Sequence, residues 1–308
     1  MYDNIILTTE WAPIGGYIGT TNMNCFSGTI DGNGNSISGF TYDDSSAQRV
    51  GLVSVAFGAS IKNLTLEGTV AAKGYASAFI GYSYGDLLID NCVNKVKIIS
   101  TGADNTGGFV GYAAGQSGSS ISVTIRNCIN IGEISGYGSS GGILGATSSA
   151  VTSLDIANCI NASPVSGTNN YVGGIIGNTG LGNNRVFVHN CISLGVVSGP
   201  NSGTFIGKLD SSTTTYPNFD YCYYLNGINT ELVGSKSPSY DPSSNILSFT
   251  SDGTSSTLST TYDLMAELNS WITDPQKGND SAYSIYNKWS YQPNGYPCFN
   301  NKVLISVP

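Results

Sequence analysis

The residues of this 308-residue chain that could do chemistry are few, and their spacing is unusual. Five of the seven cysteines, Cys92, Cys128, Cys159, Cys191 and Cys222, recur at long steps, the last three being 31, 32 and 31 residues. Such spacings do not resemble the CxxC pairs of a zinc module. Stacked in register, these cysteines would have Cα atoms about 4.8 Å apart and parallel Cβ atoms, slightly beyond the Cβ separation of a disulfide. The expectation is a buried ladder of free thiols, each acting as a small apolar residue. Cys25 and Cys298 stand outside the ladder, and their pairing stays open.

Other chemical groups are scattered. His189 is the single histidine, and no Ser/His/Asp set or nucleophile motif accompanies it. Among the loop acids Asp31, Asp43, Asp44, Asp86, Asp104 and Asp210, Asp31 opens an Asp-Gly-Asn-Gly turn and reads as an Asx turn. The adjacent Asp43 and Asp44 lack the flanking ligands of a calcium loop. Catalytic, metal and cofactor sites are therefore not expected. Tyrosine is the more informative type. There are 19, many in polar loops: Tyr75, Tyr82, Tyr84, Tyr112, Tyr137 and Tyr171. Tyr82 and Tyr112 follow the same motif glycine in adjacent repeats. Stacked tyrosines beside Asn and Ser suit sugar rings or a protein partner, which makes Tyr82, Tyr84, Tyr112 and Tyr137 the candidate ligand-binding residues.

The elements that must position them are repeats. Asn91-Cys92, Asn127-Cys128, Asn158-Cys159 and Asn190-Cys191 alternate with Gly107-Gly108-Phe109-Val110-Gly111, Gly141-Gly142-Ile143-Leu144-Gly145 and Gly173-Gly174-Ile175-Ile176-Gly177. The intervening runs are short, β-branched and bounded by Gly, Ser and Asn, so they read as strands. Two or three strands per unit of about 30 residues, without a helical period, fit one coil of a parallel β-solenoid. The glycine motifs recur in every coil and open no helix, which excludes a dinucleotide loop.

Aligning the copies assigns faces. Ile61, Ile89, Ile125, Ile156 and Val188, three residues before the Cys position, form an inward column. Lys62, Asp90, Arg126, Ala157 and His189 form a mixed outward column, in which Asp90 and Arg126 would pair as a surface salt bridge. Lys97 and Glu133 pair likewise. Asn63, Asn91, Asn127, Asn158 and Asn190 are uniform and are expected to form a corner ladder, each amide bonding its neighbour. Asn94, Asn130 and Asn161 make a shorter one.

Composition narrows the partners. Charged residues are 10% of the chain, the net charge is −8 and the pI is about 4.4, which argues against nucleic acid or an anionic membrane surface. No apolar run approaches a membrane span, so membrane insertion of this segment is not expected. Met1-Tyr2-Asp3 does not open a signal peptide, so the chain is either cytosolic or a piece of something exported.

The fold expected is all-β: a single-stranded, right-handed parallel β-helix of about six coils. Residues 1–48 would form an N-terminal cap and first coil, 49–228 the repeats, and 229–308 a C-terminal capping region. Leu264, Leu268, Trp271 and Ile272 share a helical face, predicting one short helix over 262–272 that packs on the last coil. A strand is expected at 246–249, and the alternation at 303–307 would lead into a further domain.

The terminal motifs carry a resemblance. Trp11-Ala12-Pro13-Ile14-Gly15, Phe26-Ser27-Gly28-Thr29-Ile30-Asp31-Gly32-Asn33-Gly34, Gly51-Leu52-Val53-Ser54 and Ile61-Lys62-Asn63-Leu64-Thr65-Leu66 resemble the bacterial surface proteins with GLUG-type repeats. Cys222-Tyr223-Tyr224-Leu225, Leu268-Asn269-Ser270-Trp271, Trp289 and Gly295-Tyr296-Pro297 extend it. The resemblance implies a large exported adhesin-like protein, some members carrying a peptidase domain elsewhere in the chain. Its motifs are structural, so no catalytic residue carries over. The expectation is a non-enzymatic extracellular adhesive or stalk region contacting a host glycan or surface protein. The alternatives are a carbohydrate-active β-helix enzyme and a ligand-free spacer.

Overall fold

Each repeat breaks into three short strands because its β-branched runs alternate and are cut by glycine and asparagine. The computed structural model describes residues 1–18, 22–115, 119–180, 185–209, 218–228, 231–236, 240, 242–243, 246–251, 256–258, 263–274, 285–293 and 296–299. The alternating run at 303–307 and Asp210 lie outside these. The strands stack in parallel into three sheets. The first runs from Val53–Ala56 to Val233–Ser235, and the second from Thr29–Asp31 to Asn218–Asp220; each has seven strands. The third, with 17, includes Ser36–Val50, Thr65–Ala76, Val93–Ser100 and Cys222–Leu225.

Seven-stranded sheets mean about seven turns rather than six. The additional turn opens with Thr29–Asp31, which pairs with Ser60, Ile61 and Lys62. Its corner is Asp31-Gly32-Asn33-Gly34, without the Asn and Cys that mark the others. Parallel pairing also continues past residue 228: Ile206 pairs with Val233, and Cys222 with Ile246. The strand expected at 246–249 spans Ile246–Ser251.

The inward columns make one core. Ile61, Ile89, Ile125, Ile156 and Val188 are fully buried, and so are Cys92, Cys128, Cys159, Cys191 and Cys222. Phe79 and Phe109 stack in adjacent coils with centroids 5.0 Å apart. All seven cysteines are free. The ladder thiols face backbone oxygens of the preceding coil, from Cys92 Sγ to Ile61 O at 3.7 Å to Cys222 Sγ to Val188 O at 3.1 Å. Burial pushes the Cys92, Cys159 and Cys222 thiols well up. All five ladder thiols are fully buried, which keeps a bulky reagent from reaching them whatever their protonation. Native protein should leave these five unlabelled by Ellman's reagent and expose them on denaturation; rapid native labelling of five thiols would contradict the inward column.

The corner asparagines explain their own uniformity. Asn63, Asn91, Asn127, Asn158 and Asn190 all have φ between 52° and 58°, a left-handed conformation that asparagine tolerates better than most residues. Their amides form two runs rather than one continuous ladder. Asn91 Nδ2 donates to Asn63 Oδ1 (2.6 Å), and Asn63 Nδ2 to Asp31 Oδ1 (3.0 Å). Asn190 donates to Asn158 (2.9 Å), Asn158 to Asn127 (2.8 Å), and Asn127 to Asp90 Oδ1 (2.8 Å). The rung between Asn127 and Asn91 is missing because an ionised carboxylate is the stronger acceptor. Each run thus ends on an aspartate. The inner ladder has the opposite polarity: Asn94 donates to Asn130 and Asn130 to Asn161. Backbone donors fix it, since Asn94 and Asn130 each accept the N–H two residues on.

The C-terminal region covers a flank of the rod rather than the end of its last coil. Helix α1, Leu264–Thr273, is capped by Asp263, whose carboxylate accepts from Met265 N and Ala266 N. Its buried residues are the four expected. They join Phe249, Trp289 and Phe299 against an outward apolar column, Val93, Ile129, Ile160, Ile192 and Tyr223. Residues 285–287 then clasp the asparagine corner. Asn287 Nδ2 donates to Asn91 Oδ1 (2.8 Å), Asn287 N to Asn127 Oδ1 (2.9 Å), and Asn158 Nδ2 to Asn287 O (3.0 Å). Among the described residues no helix is long and apolar enough to cross a membrane.

Candidate functional site

The tyrosines converge where the third sheet turns into the first. Tyr82 and Tyr112 pair in register on strands Ile80–Ser83 and Val110–Ala113. Their side chains face outward because Gly81 and Gly111 press against the backbone of the preceding coil. Their rings meet edge-on at 5.3 Å. Tyr84 packs on Tyr82 at 4.5 Å. Tyr75 lies 5.1 Å from Tyr82 and 5.5 Å from Tyr112, closing the cluster. Each of these four is half-buried.

Of the four tyrosines singled out from the sequence, Tyr82, Tyr84 and Tyr112 lie together; Tyr75, named there only as a loop residue, and Arg49, not named, join them. The Arg49 guanidinium lies over the rings of Tyr75 (5.6 Å) and Tyr82 (5.3 Å). Arg49 and Tyr75 sit at one corner in successive coils, before the paired Val50 and Ala76, and both are left-handed, φ 63° and 46°. Such φ values in bulky residues are costly and recur at functional positions. The two columns are used again further along, where Lys208 lies 4.9 Å from the Tyr171 ring centroid. Tyr137 does not join: it is 41% exposed and makes no ring contact with the cluster among the described residues.

Polar groups surround the rings. Asp104 accepts from Gln48 Nε2 at 2.9 Å, and its carboxylate acts on the Tyr75 phenol. Burial, reinforced by that carboxylate, pushes Tyr75 up to about 12. Burial also raises Tyr112, opposed by a bond with Ser148. A raised phenol favours the folded state while it is neutral. Its contribution is complete below the unfolded value near 10 and is lost as pH climbs through about 12. An absorbance titration should therefore find native phenols ionising late, Tyr75 and Tyr286 near pH 12, with stability falling across that window. A single midpoint near 10 for every tyrosine in still-folded protein would contradict it.

The outward column of Asp90, Arg126 and His189 on the second sheet is covered. Arg126 and Asp90 pair at 2.9 Å, but with side-chain exposures of 20% and 16% this is a partly buried bridge beneath the C-terminal segment rather than a surface one. His189 stacks between Phe187 (5.4 Å) and Trp271 (5.8 Å). Tyr286 covers the same region, its ring 4.9 Å from Trp271. Burial there raises the Asp155 carboxyl, with His189 and Arg126 opposing. Lys97 and Glu133 do form the exposed pair expected, at 2.8 Å, and such a pair contributes about 0–1 kcal/mol. Among the described residues no three His, Cys, Asp or Glu side chains are placed to hold a metal ion. Asp31 forms the Asx turn, accepting from Asn33 N at 2.8 Å.

The architecture is that of a parallel β-solenoid with one covered flank and one aromatic patch. No family model matches the chain, and no curated protein matches it. Among solved structures it is similar to a "putative immunoglobulin A1 protease" from Bacteroides ovatus, with a TM-score of 0.63 and 20% identity. That match covers 97% of this chain and 84% of the other. At that identity the likeness is one of fold.

Proposed function

We propose that this chain is a non-enzymatic, extracellular part of a larger bacterial surface protein, a rigid rod that presents a binding patch to a glycan. The observation that carries this is the cluster of Tyr75, Tyr82, Tyr84 and Tyr112 with Arg49 over two of the rings. Aromatic faces stack on sugar rings, and tyrosine hydroxyls supply orientation. The rod holds them still: two strands fix Tyr82 and Tyr112 in register, so little side-chain entropy remains to be lost on binding. A fold shared with a bacterial protein named for an antibody protease supports an exported setting. Resemblance to GLUG-repeat surface proteins supports it independently.

The test is a broad glycan array read with the native chain and with Tyr82→Ala/Tyr112→Ala. Binding that falls at least tenfold in the variant is expected, equivalent to about 1.4 kcal/mol. Glycans shortened during incubation would instead favour a carbohydrate-active enzyme, and silence across the array a spacer or a protein-binding adhesin.

A further inference from the structure

The aromatic cluster does not end at Tyr84. Beyond it the chain turns from the first sheet into the second, and that turn borders a groove. One hollow of about 240 Å³ is lined by Phe57, Tyr84, Asp86, Ser119, Ser120 and Ile121. A second, of about 490 Å³, lies among Thr29, Ser60, Asp86, Leu88, Ser122 and Thr124. Both are bordered by Gly58 and Asp86, so they adjoin. Thr29, Ser60, Leu88 and Thr124 are successive members of one outward column. The groove therefore runs along the rod across four coils, about 14 Å at strand spacing.

Its lining is specific in kind. Phe57 is 49% exposed at one rim, beside Tyr84. The walls carry six serine and threonine residues and one carboxylate, that of Asp86, whose Oδ1 accepts Ser122 N at 2.8 Å. Lysine and arginine are absent from the lining, and the chain carries −8 overall. An anionic polymer would meet only a carboxylate there. An added peptide strand would need an open sheet edge and would lie across the rod, whereas the strands of Ser60, Leu88 and Thr124 are paired on both sides and only Thr29–Asp31 ends the sheet. A straight groove with hydroxyl walls and an aromatic rim fits an extended neutral chain of sugar rings.

We infer that this groove is an extended subsite for a neutral, linear, β-linked oligosaccharide, entered from the tyrosine cluster at Tyr84. The inference rests on reading that cluster as the primary glycan contact. The hydroxyls of Thr29 towards one end and of Ser122 and Thr124 towards the other would bond rings of the same chain, with Asp86 as a further acceptor.

The experiment is calorimetric titration of the full chain with cello-oligosaccharides and N-acetylchito-oligosaccharides of increasing length, from one ring to six. The variants are Ser60→Trp, Thr29→Trp and Tyr82→Ala/Tyr112→Ala, each checked for native circular dichroism. In one series affinity should rise at least tenfold from the shortest to the longest chains. Ser60→Trp or Thr29→Trp should remove that gain and leave short-chain binding intact. The tyrosine variant should lose both. Binding independent of length and unmoved by either tryptophan overturns the groove alone. Length-dependent binding that survives Tyr82→Ala/Tyr112→Ala but not Ser60→Trp overturns the tyrosine reading alone. No binding of either series overturns the inference.

Discussion

Gly142→Val should prevent the solenoid from closing. A Cβ at Gly142 would fall well inside contact distance of Gly174 O in the next coil and of the Asn161 side chain. Neither can retreat. Gly142 N donates to Gly173 O at 3.2 Å, so the two backbones are already joined. Asn161 is fully buried and accepts from Asn130 in the inner ladder. Displacing one coil strains its neighbours on both sides, because each repeat is stacked directly on the next. The expected loss is about 4 kcal/mol or more, the range in which backbone-level damage shows. Gly34→Ala is the control. Its φ is +82° but a Cβ there would meet nothing within 4 Å, so only conformational strain of about 1–2 kcal/mol applies. Urea unfolding followed by circular dichroism separates the two; equal midpoints would show that coil-to-coil approach does not limit stability.

Asn158→Val should be the next most damaging change. Asn158 donates to Asn127 Oδ1 and to Asn287 O, and accepts from Asn190. Valine supplies none of these bonds and, being β-branched, tolerates φ 54° poorly. Conformation costs about 1–2 kcal/mol. Leaving the buried Asn190 amide without its acceptor costs about 1–3 kcal/mol more. Asn158→Gly removes the strain and keeps the lost bonds, so it should be roughly 1–2 kcal/mol milder. Because Asn287 is held through this corner and Tyr286 packs on Trp271, both variants should also loosen the C-terminal clasp. Tryptophan fluorescence should shift before the far-ultraviolet signal does. A valine variant as stable as the native chain would mean that the asparagines are ornamental.

These sites also show what could be read from residues alone. The inward columns were legible because the positions of Ile125 and Cys128 are apolar in coil after coil; alternation alone would put residues three apart on opposite faces, and the left-handed Asn127 between them turns both inward. Two things were not legible. The first turn carries Asp31-Gly32-Asn33 where others carry Asn-Leu or Asn-Cys, so it escaped the count, although its carboxylate terminates the amide run. The covered flank escaped because Val93, Ile129, Ile160 and Ile192 directly follow inward-facing residues. Apolar residues on both faces of one strand signal burial on both sides, and that signal was present in the sequence. Arg49 was hidden for a different reason. The pairing of Ser36–Val50 with Thr65–Ala76 shifts register twice, which breaks the simple offset that would have aligned Arg49 with Tyr75. Tyr75, Tyr84 and the Tyr82–Tyr112 pair did not read as one cluster because their contacts join three strands and a turn.

The central claim is that one face of a rigid rod, around Tyr82 and Tyr112, holds the ligand while the opposite flank is occupied by the chain's own C-terminal segment. Hydrogen-exchange mass spectrometry with and without the strongest array ligand tests it most directly. The account predicts new protection in peptides covering Arg49, Tyr75, Tyr82–Asp86 and Tyr112, with none at α1 or the asparagine corner. Protection centred on α1 and residues 285–287, or none at the tyrosines at saturating ligand, would contradict it.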